Sequence, residues 1–210
     1  RFSAGADLNE MAGAVLAGKL EPVAAMISRF QATAQRLSRA AKPVVLCVHG
    51  QILGGGCELA MAAGGVVAAA ESYPGLVELG VGLVPAGGGC LRFMQRAAAC
   101  GGDQPVRMLD WLEDGFMSIG TGRVATSAAE AVHLGYLPPA TVIVLDGDQR
   151  FAAAKAEALR LDQQGWRPAT DDGVLILGEA AAARFRVMAA NLAAAGQISE
   201  YDATLANRLA

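Results

Sequence analysis

Three successive glycines, Gly54–Gly56, stand just before an acidic residue, Glu58. Because glycine has no Cβ, its backbone N–H can be approached closely by a ligand. The following residues, Cys57–Ala63, are predicted to form a helix, whose positive N-terminal end would point at the same place. This arrangement would stabilise a negative or strongly polarised oxygen. Glu58, in the first turn, is then either a general acid or base or a residue that only complements the helix dipole.

Glu78 is a second isolated acid, and it lies among leucines and valines in the Gly-rich passage 75–89. An acid in such a setting is either solvated at a loop tip or held there for chemistry. If Glu58 and Glu78 lie close together, their like charges in an apolar site push the two pKa values apart. The pair could then hold a water molecule between a general acid and a general base.

Other motifs that suggest chemistry fail on their context. Gly13–Lys19 matches most of a phosphate-binding P-loop, but a helical pattern precedes it and Leu20, not a hydroxyl residue, follows the lysine. No G-x-G-x-x-G lies between a predicted strand and helix, and no G-x-S-x-G is present. His49 and His133 have no Cys or His partner at ligand spacing, so we favour structural roles for both and expect no metal site.

The predicted elements alternate between short apolar strands and helices. Helical spacing covers 7–41, with a break at Gly18–Pro22. Strands are predicted at 43–48, 66–69 and 142–145; helices at 57–63, 90–98, 127–134, 148–164, 178–195 and from about 199; and irregular structure at 99–123. This alternation predicts an α/β fold with a mainly parallel sheet.

The composition excludes several classes of protein. The 210 residues suffice for one sizeable domain, and 53% of them are hydrophobic. Charged residues make up 18%, below the usual ~25%, which indicates either a surface partly covered by a partner subunit or neighbouring domain, or an ordinary alanine-rich protein. A net charge of −3 without a basic run argues against nucleic-acid binding. The longest uncharged stretches, 43–57 and 131–145, are too short for a transmembrane helix, which needs ~20 residues.

The four cysteines form no Cys-x-x-Cys pair and sit mostly in apolar or Gly-rich settings. This pattern is typical of unpaired thiols in a reducing compartment, so we expect a cytoplasmic protein. The sequence starts at Arg1 and runs at once into an apolar segment, so we expect it to be a piece of a longer polypeptide.

Four segments together resemble the crotonase (enoyl-CoA hydratase/isomerase) superfamily. They are FSAGADL at 2–8, a Lys-Pro strand followed by HGQILGGGCELAM at 49–61, GLVELGVGLVPAGGG at 75–89, and SAAEAVHLG at 127–135. The combination is far more specific than any one motif. The tail segments 165–168, 174–178 and 196–202, with the long insertion at 99–123, resemble the hydratase domain placed C-terminally in some bacterial fusions with 3-hydroxyacyl-CoA dehydrogenase.

The resemblance implies an α/β crotonase-like spiral of ββα units. Residues 1–145 would form the core, and 146–210 a C-terminal helical region of the same domain that often makes subunit contacts. The opening strands that precede FSAGADL in the family do not occur in this sequence. Without them a sheet edge would be unpaired, so we expect those strands elsewhere in the native polypeptide and poor activity from this segment alone.

The resemblance also implies a set of site residues. Glu58 and Glu78 take the positions of the two catalytic glutamates, and the N–H groups of Ala6 and Gly55 would form an oxyanion hole. The implied substrate-binding residues are Ala4, Ala6, Asp7, Leu8, Asn9, Gly54, Gly55 and Pro85. Two departures, the missing Asp in 62–65 and the unusual stretch 73–78, leave the preferred acyl length open.

The implied activity is hydration of a trans-2-enoyl-CoA thioester in fatty-acid β-oxidation. It would be one half of a bifunctional protein with an NAD-dependent 3-hydroxyacyl-CoA dehydrogenase. The segment itself needs no cofactor. Its partners would be the acyl-CoA substrate and either further copies of the chain or the fused dehydrogenase. The alternatives are an enoyl-CoA isomerase or another crotonase reaction, and a non-catalytic acyl-CoA-binding scaffold.

Overall fold

The computed structural model describes residues 1–102, 104–170 and 174–210. Helices and strands follow one another largely as the hydrophobic spacing predicts. The elements are α1 (Leu8–Leu16), α2 (Leu20–Ser38), β1 (Val45–Leu53), α3 (Gly55–Ala62), β2 (Gly65–Gly75), α4 (Gly89–Gly101), α5 (Pro105–Gly120), α6 (Ala128–His133), β3 (Val142–Val144), α7 (Arg150–Gln163), α8 (Glu179–Ala194) and α9 (Glu200–Leu209).

The three strands of the described residues form one parallel sheet in the order β1-β2-β3, which confirms the predicted parallel α/β fold. β1 and β2 run further than predicted, to Leu53 and Gly75. Their added halves are rich in glycine and polar residues, which have little strand propensity of their own. The two strands nevertheless stay paired over these halves, with a register shift between Val48 and Gly50.

The prediction of an irregular segment at 99–123 is wrong. α4 continues to Gly101, and α5 starts with Pro105 in its first turn, where a missing N–H costs nothing. The glycines that suggested a loop lie instead where two helices approach closely. A Cβ on Gly115 would overlap with the ring of Phe93, and one on Gly101 would lie 2.7 Å from Cβ of Met108.

Two hydrophobic clusters form the core. The first lies around the sheet, α3 and α6, and is filled by fully buried side chains such as Ile52, Leu76 and Leu137. The second joins α5 to α8 and α9, with the rings of Phe116 and Phe185 stacked at 5.0 Å. The C-terminal helices therefore pack on α4 and α5 through an apolar surface of their own.

All four cysteines lie in the described residues and are unpaired, as predicted. Ser127 caps α6 by accepting from the N–H of Glu130, which confirms the predicted helix start. None of the helices in the part of the chain that the structure describes is long and apolar enough to cross a membrane.

Leu137 tests the first cluster against a matched surface residue. Leu137 is 0% exposed and Leu145 is 90% exposed. We expect Leu137→Ala to lower the free energy of unfolding by about 2–5 kcal/mol because it leaves a cavity. Leu145→Ala should stay within about 0.5 kcal/mol of the parent protein. Urea unfolding followed by circular dichroism measures both, and equal losses would contradict the assigned core.

Candidate active site

The first glycine triplet joins the end of β1 to the start of α3. Gly54 has φ +54°, which a residue with a side chain rarely adopts, and its N–H donates to the carbonyl of Gly75 at 2.9 Å. α3 begins at Gly55, and the N–H of Glu58 closes its first turn on the carbonyl of Gly54 at 3.1 Å. The first N–H groups of a helix have no acceptor within the helix, so the N–H of Gly55 is available to a ligand.

The N-terminal segment lies beside this triplet. Ser3 forms a parallel bridge with Ile52, and its carbonyl accepts the N–H of Leu53 at 3.0 Å. The N–H of Gly5 donates to the hydroxyl of Ser3 at 3.1 Å, and a Cβ on Gly54 would lie 3.9 Å from Cα of Gly5. The predicted oxyanion residue Ala6 thus follows directly on a residue that contacts the first triplet.

The other predicted substrate-binding residues of the N-terminal segment lie at the surface. Ala4 and Asn9 are exposed, and Leu8 is an exposed hydrophobic residue of α1. Asp7 caps α1, and its carboxylate accepts the N–H groups of Asn9 and Glu10 at 3.0 and 3.2 Å. The contact of these residues with a substrate stays a prediction.

Glu58 is buried, with 4% of its surface exposed, and a second glycine triplet holds its carboxylate. The N–H of Gly89, the first residue of α4, donates to Oε1 of Glu58 at 2.9 Å. Burial raises the pKa of Glu58, and hydrogen bonds from the backbone of Gly87–Gly89 oppose that rise. The start of α4 also carries a positive dipole end. Among the two acids, Glu58 is therefore the one whose charged form has backbone support.

Glu78 lies in the turn that follows β2, at the first residue of a 3₁₀ segment, Glu78–Val81. Both of its carboxyl oxygens are buried and have no hydrogen-bond partner among the described residues. Burial, and then the charge of Glu58, raise the pKa of Glu78 to about 7. A Cβ on Gly54 would lie 3.4 Å from Oε1 of Glu78, so this carboxyl group faces the first triplet.

The structure thus brings Glu58, Glu78 and the first glycine triplet together, as the sequence predicted. Pro85, also predicted, is fully buried, and its Cβ would lie 3.1 Å from a Cβ on Gly89. It therefore supports the loop that holds Glu58.

Two parts of the site were not predicted. The first is Gly87–Gly89 as the support for Glu58; the repeated string Gly-Gly-Gly-Cys, at 54–57 and again at 87–90, was the available signal. The second is Phe30 of α2, whose ring would lie 3.0 Å from a Cβ on Gly55. The helical spacing over 7–41 could not reveal this contact, because spacing does not show which partner a helix face meets.

Comparisons with known proteins identify the family of this chain. Residues 1–101 match the family model for enoyl-CoA hydratase/isomerase. A "Probable 3-hydroxyacyl-CoA dehydrogenase" of Bacillus subtilis is 36% identical over 88% of this chain, and a "Probable enoyl-CoA hydratase" of the same organism is 34% identical over 57% of it. The chain belongs to the enoyl-CoA hydratase/isomerase, or crotonase, superfamily.

This crotonase chain also shares the fold of solved members. The crystal structure of an enoyl-CoA hydratase from Bacillus anthracis matches it with a TM-score of 0.57 at 24% identity, over 98% of this chain and 65% of that chain. The chain spans 23% and 47% of the lengths of the two Bacillus subtilis relatives. These comparisons confirm the crotonase fold, and they leave the activity to be argued from the site.

The raised pKa of Glu78 predicts a pH-dependent stability. The pKa of Glu78 in the folded state, about 7, lies above the ordinary glutamate value of 4.5, so folding favours the protonated form. Below about pH 4.5 Glu78 is protonated in both the folded and the unfolded protein, so it does not lower the free energy of unfolding. As the pH rises from 4.5 towards 7, the unfolded protein loses this proton more readily, so the free energy of unfolding falls. Above about pH 7 this loss of stability is complete. We therefore expect Glu78→Gln to be progressively more stable than the parent between pH 5 and pH 7.5, in urea unfolding at several pH values.

Glu71→Gln is the matched control, because Glu71 is an exposed acid on β2. It should leave the pH profile of stability unchanged. Titration of the Glu78 carboxyl carbon by NMR gives an independent readout. A midpoint near that of an ordinary glutamate would contradict the environment described for Glu78.

Proposed function

We propose that this chain adds water to trans-2-enoyl-CoA thioesters. The observation that carries the proposal is the different hydrogen bonding of two buried carboxyl groups that lie close enough for the charge of Glu58 to raise the pKa of Glu78. Glu58 receives a backbone N–H at 2.9 Å, whereas both oxygens of Glu78 lack a partner in the described residues. This makes Glu58 the better holder of negative charge and Glu78, whose pKa is raised to about 7, the better holder of a proton, which gives a base and an acid in one site.

The thioester carbonyl would accept the N–H of Gly55 at the start of α3, with Ala6 as the second donor. Both donors come from segments that the β1 edge holds together, since Ser3 pairs with Ile52. Preorganised N–H groups stabilise the oxygen charge that develops during addition, and loss of one such donor typically costs about 10²–10³ in rate.

The proposed steps balance with one water molecule. Glu58 takes a proton from water while the water oxygen bonds to C3, and the electron pair of the C2–C3 double bond moves towards the thioester oxygen. The protonated Glu78 then gives its proton to C2 as the carbonyl re-forms. Proton exchange with solvent returns Glu58 to its ionised form and Glu78 to its protonated form. No electron is gained or lost, so the step itself calls for no redox cofactor.

The product of this reaction would be a 3-hydroxyacyl-CoA, which carries the alcohol that a 3-hydroxyacyl-CoA dehydrogenase oxidises. One relative of this chain bears that dehydrogenase name. This supports the further proposal that the chain works in β-oxidation, in the cytoplasm, within a larger protein whose dehydrogenase part would use NAD. Contacts with that part or with further copies of the chain belong to the same proposal.

The two glutamates provide the direct test. We expect Glu58→Gln and Glu78→Gln each to slow hydration of crotonyl-CoA by at least about a hundredfold, since a general acid or base contributes about 10²–10⁴. The loss of the enoyl thioester absorbance measures the rate, and Glu71→Gln is the control. Near-normal turnover in either folded variant would contradict the role of that residue. A parent protein that isomerises 3-enoyl-CoA without hydrating crotonyl-CoA would favour the isomerase instead.

Gly87 tests the support of Glu58 without removing a carboxyl group. A Cβ on Gly87 would overlap with Oε2 of Glu58 and with the ring of Phe30. We expect Gly87→Ala to lower the hydration rate by about a hundredfold, because a displacement of ~1 Å can cost that much. Gly120→Ala, at a glycine with open space around it, should keep the parent rate. A Gly87→Ala protein with full activity would show that Glu58 does not depend on this loop.

A further inference from the structure

The ring of Phe30 lies beside the candidate catalytic groups. The roles proposed for the two glutamates and the glycine triplets do not explain why a phenyl ring lies there. Its Cζ would lie 3.0 Å from a Cβ on Gly55, and its ring would overlap with a Cβ on Gly87. That same Cβ would overlap with Oε2 of Glu58. The ring is therefore wedged between the residue that offers the N–H and the loop that holds the carboxylate.

α2 is held in this position by more than the ring itself. The side-chain amide of Gln31, the next residue, donates to the carbonyl of Ala86 at 2.7 Å. Further along α2, Ala34 and Ser38 are buried, and Arg92 of α4 donates to the hydroxyl of Ser38 at 2.6 Å. Phe30 thus projects from a helix fixed at several points, and its backbone has little freedom to withdraw.

The place of the ring decides how much room the acyl chain has. In the proposed reaction the carbonyl oxygen lies at the N–H of Gly55, and C3 lies at the water that Glu58 activates. The ring of Phe30 lies beside both Gly55 and the loop that holds Glu58, so it borders the space into which carbons beyond C3 would extend. A four-carbon acyl group would end there, whereas a longer one would have to displace the ring.

We infer that Phe30 is a specificity-determining residue that limits the acyl group to short chains. The inference rests on the proposed function for the place of the thioester, and it goes further by naming the residue that sets the length. A half-buried phenyl ring is well suited to this role, because it presents an apolar surface next to the loop that holds Glu58.

The test compares short and long thioesters in binding and in turnover. Binding is measured by calorimetry with saturated butanoyl-CoA and decanoyl-CoA, which cannot be hydrated. Turnover is measured as kcat/KM for crotonyl-CoA and trans-2-decenoyl-CoA. In the parent protein we expect the longer thioester to gain nothing over the shorter one in either measurement.

Phe30→Ala should raise the ratio of long-chain to short-chain kcat/KM at least about tenfold. The ratio of the two affinities should rise by a similar factor. One methylene in a hydrophobic pocket already changes kcat/KM by about 10–200-fold. Phe30→Leu should shift both ratios in the same direction. It keeps an apolar side chain, so it tests the same point if the alanine variant does not fold. Leu37→Ala, a half-buried position two turns further along α2, should leave both ratios at the parent value.

The outcomes separate this inference from the proposed function. If the parent hydrates crotonyl-CoA and neither Phe30 variant moves the ratios, or if the parent already prefers the longer thioester, the role of Phe30 is wrong and the hydratase stands. If the parent shows no hydration while the affinity ratio still rises in Phe30→Ala, the hydratase is wrong and Phe30 retains its place in the acyl site.

Discussion

The site depends on the burial of two interacting carboxyl groups, those of Glu58 and Glu78. Burial alone would raise the pKa of both and leave them alike. The backbone of Gly87–Gly89 separates them, because it donates to Glu58 at the start of α4 and gives nothing to Glu78. The smaller rise in the tendency of Glu58 to hold a proton therefore comes from main-chain groups, which do not titrate and cannot be withdrawn without moving a helix.

Close approach of backbone is the second constraint, and it explains where the glycines occur. Gly55 and Gly87 leave room for the ring of Phe30, while Gly56 meets the side chain of Ser3. Each of these positions lies close to the start of a helix. Because glycine has no side chain, the helix starts, the strand ends and the carboxylate can approach one another closely there.

The outline of the fold and the paired glutamates could be predicted because they depend on local patterns. Short apolar runs near Val45 and Val66 indicate buried parallel strands, and isolated acids beside glycine loops stand out from the rest of the sequence. The second halves of β1 and β2, the continuous helix α5 and the position of Phe30 could not be predicted in the same way. Each of them depends on a partner distant in sequence. Gly115, for example, suggests a loop in the sequence alone, but in the structure it lies inside a helix against the ring of Phe93.

The turn that holds Glu78 is supported by residues distant in sequence. The carbonyl of Glu78 accepts the N–H of Leu83 at 3.0 Å, which closes the turn on Gly82 at φ +80°. Tyr201 of α9 lies over that glycine, within 3.4 Å of the place of its missing Cβ. α9 in turn is anchored by Leu205, which enters the same hydrophobic cluster as the sheet. The C-terminal helix therefore backs the turn that holds Glu78, so a residue near the end of the chain helps to determine whether that carboxyl group stays dry and protonated.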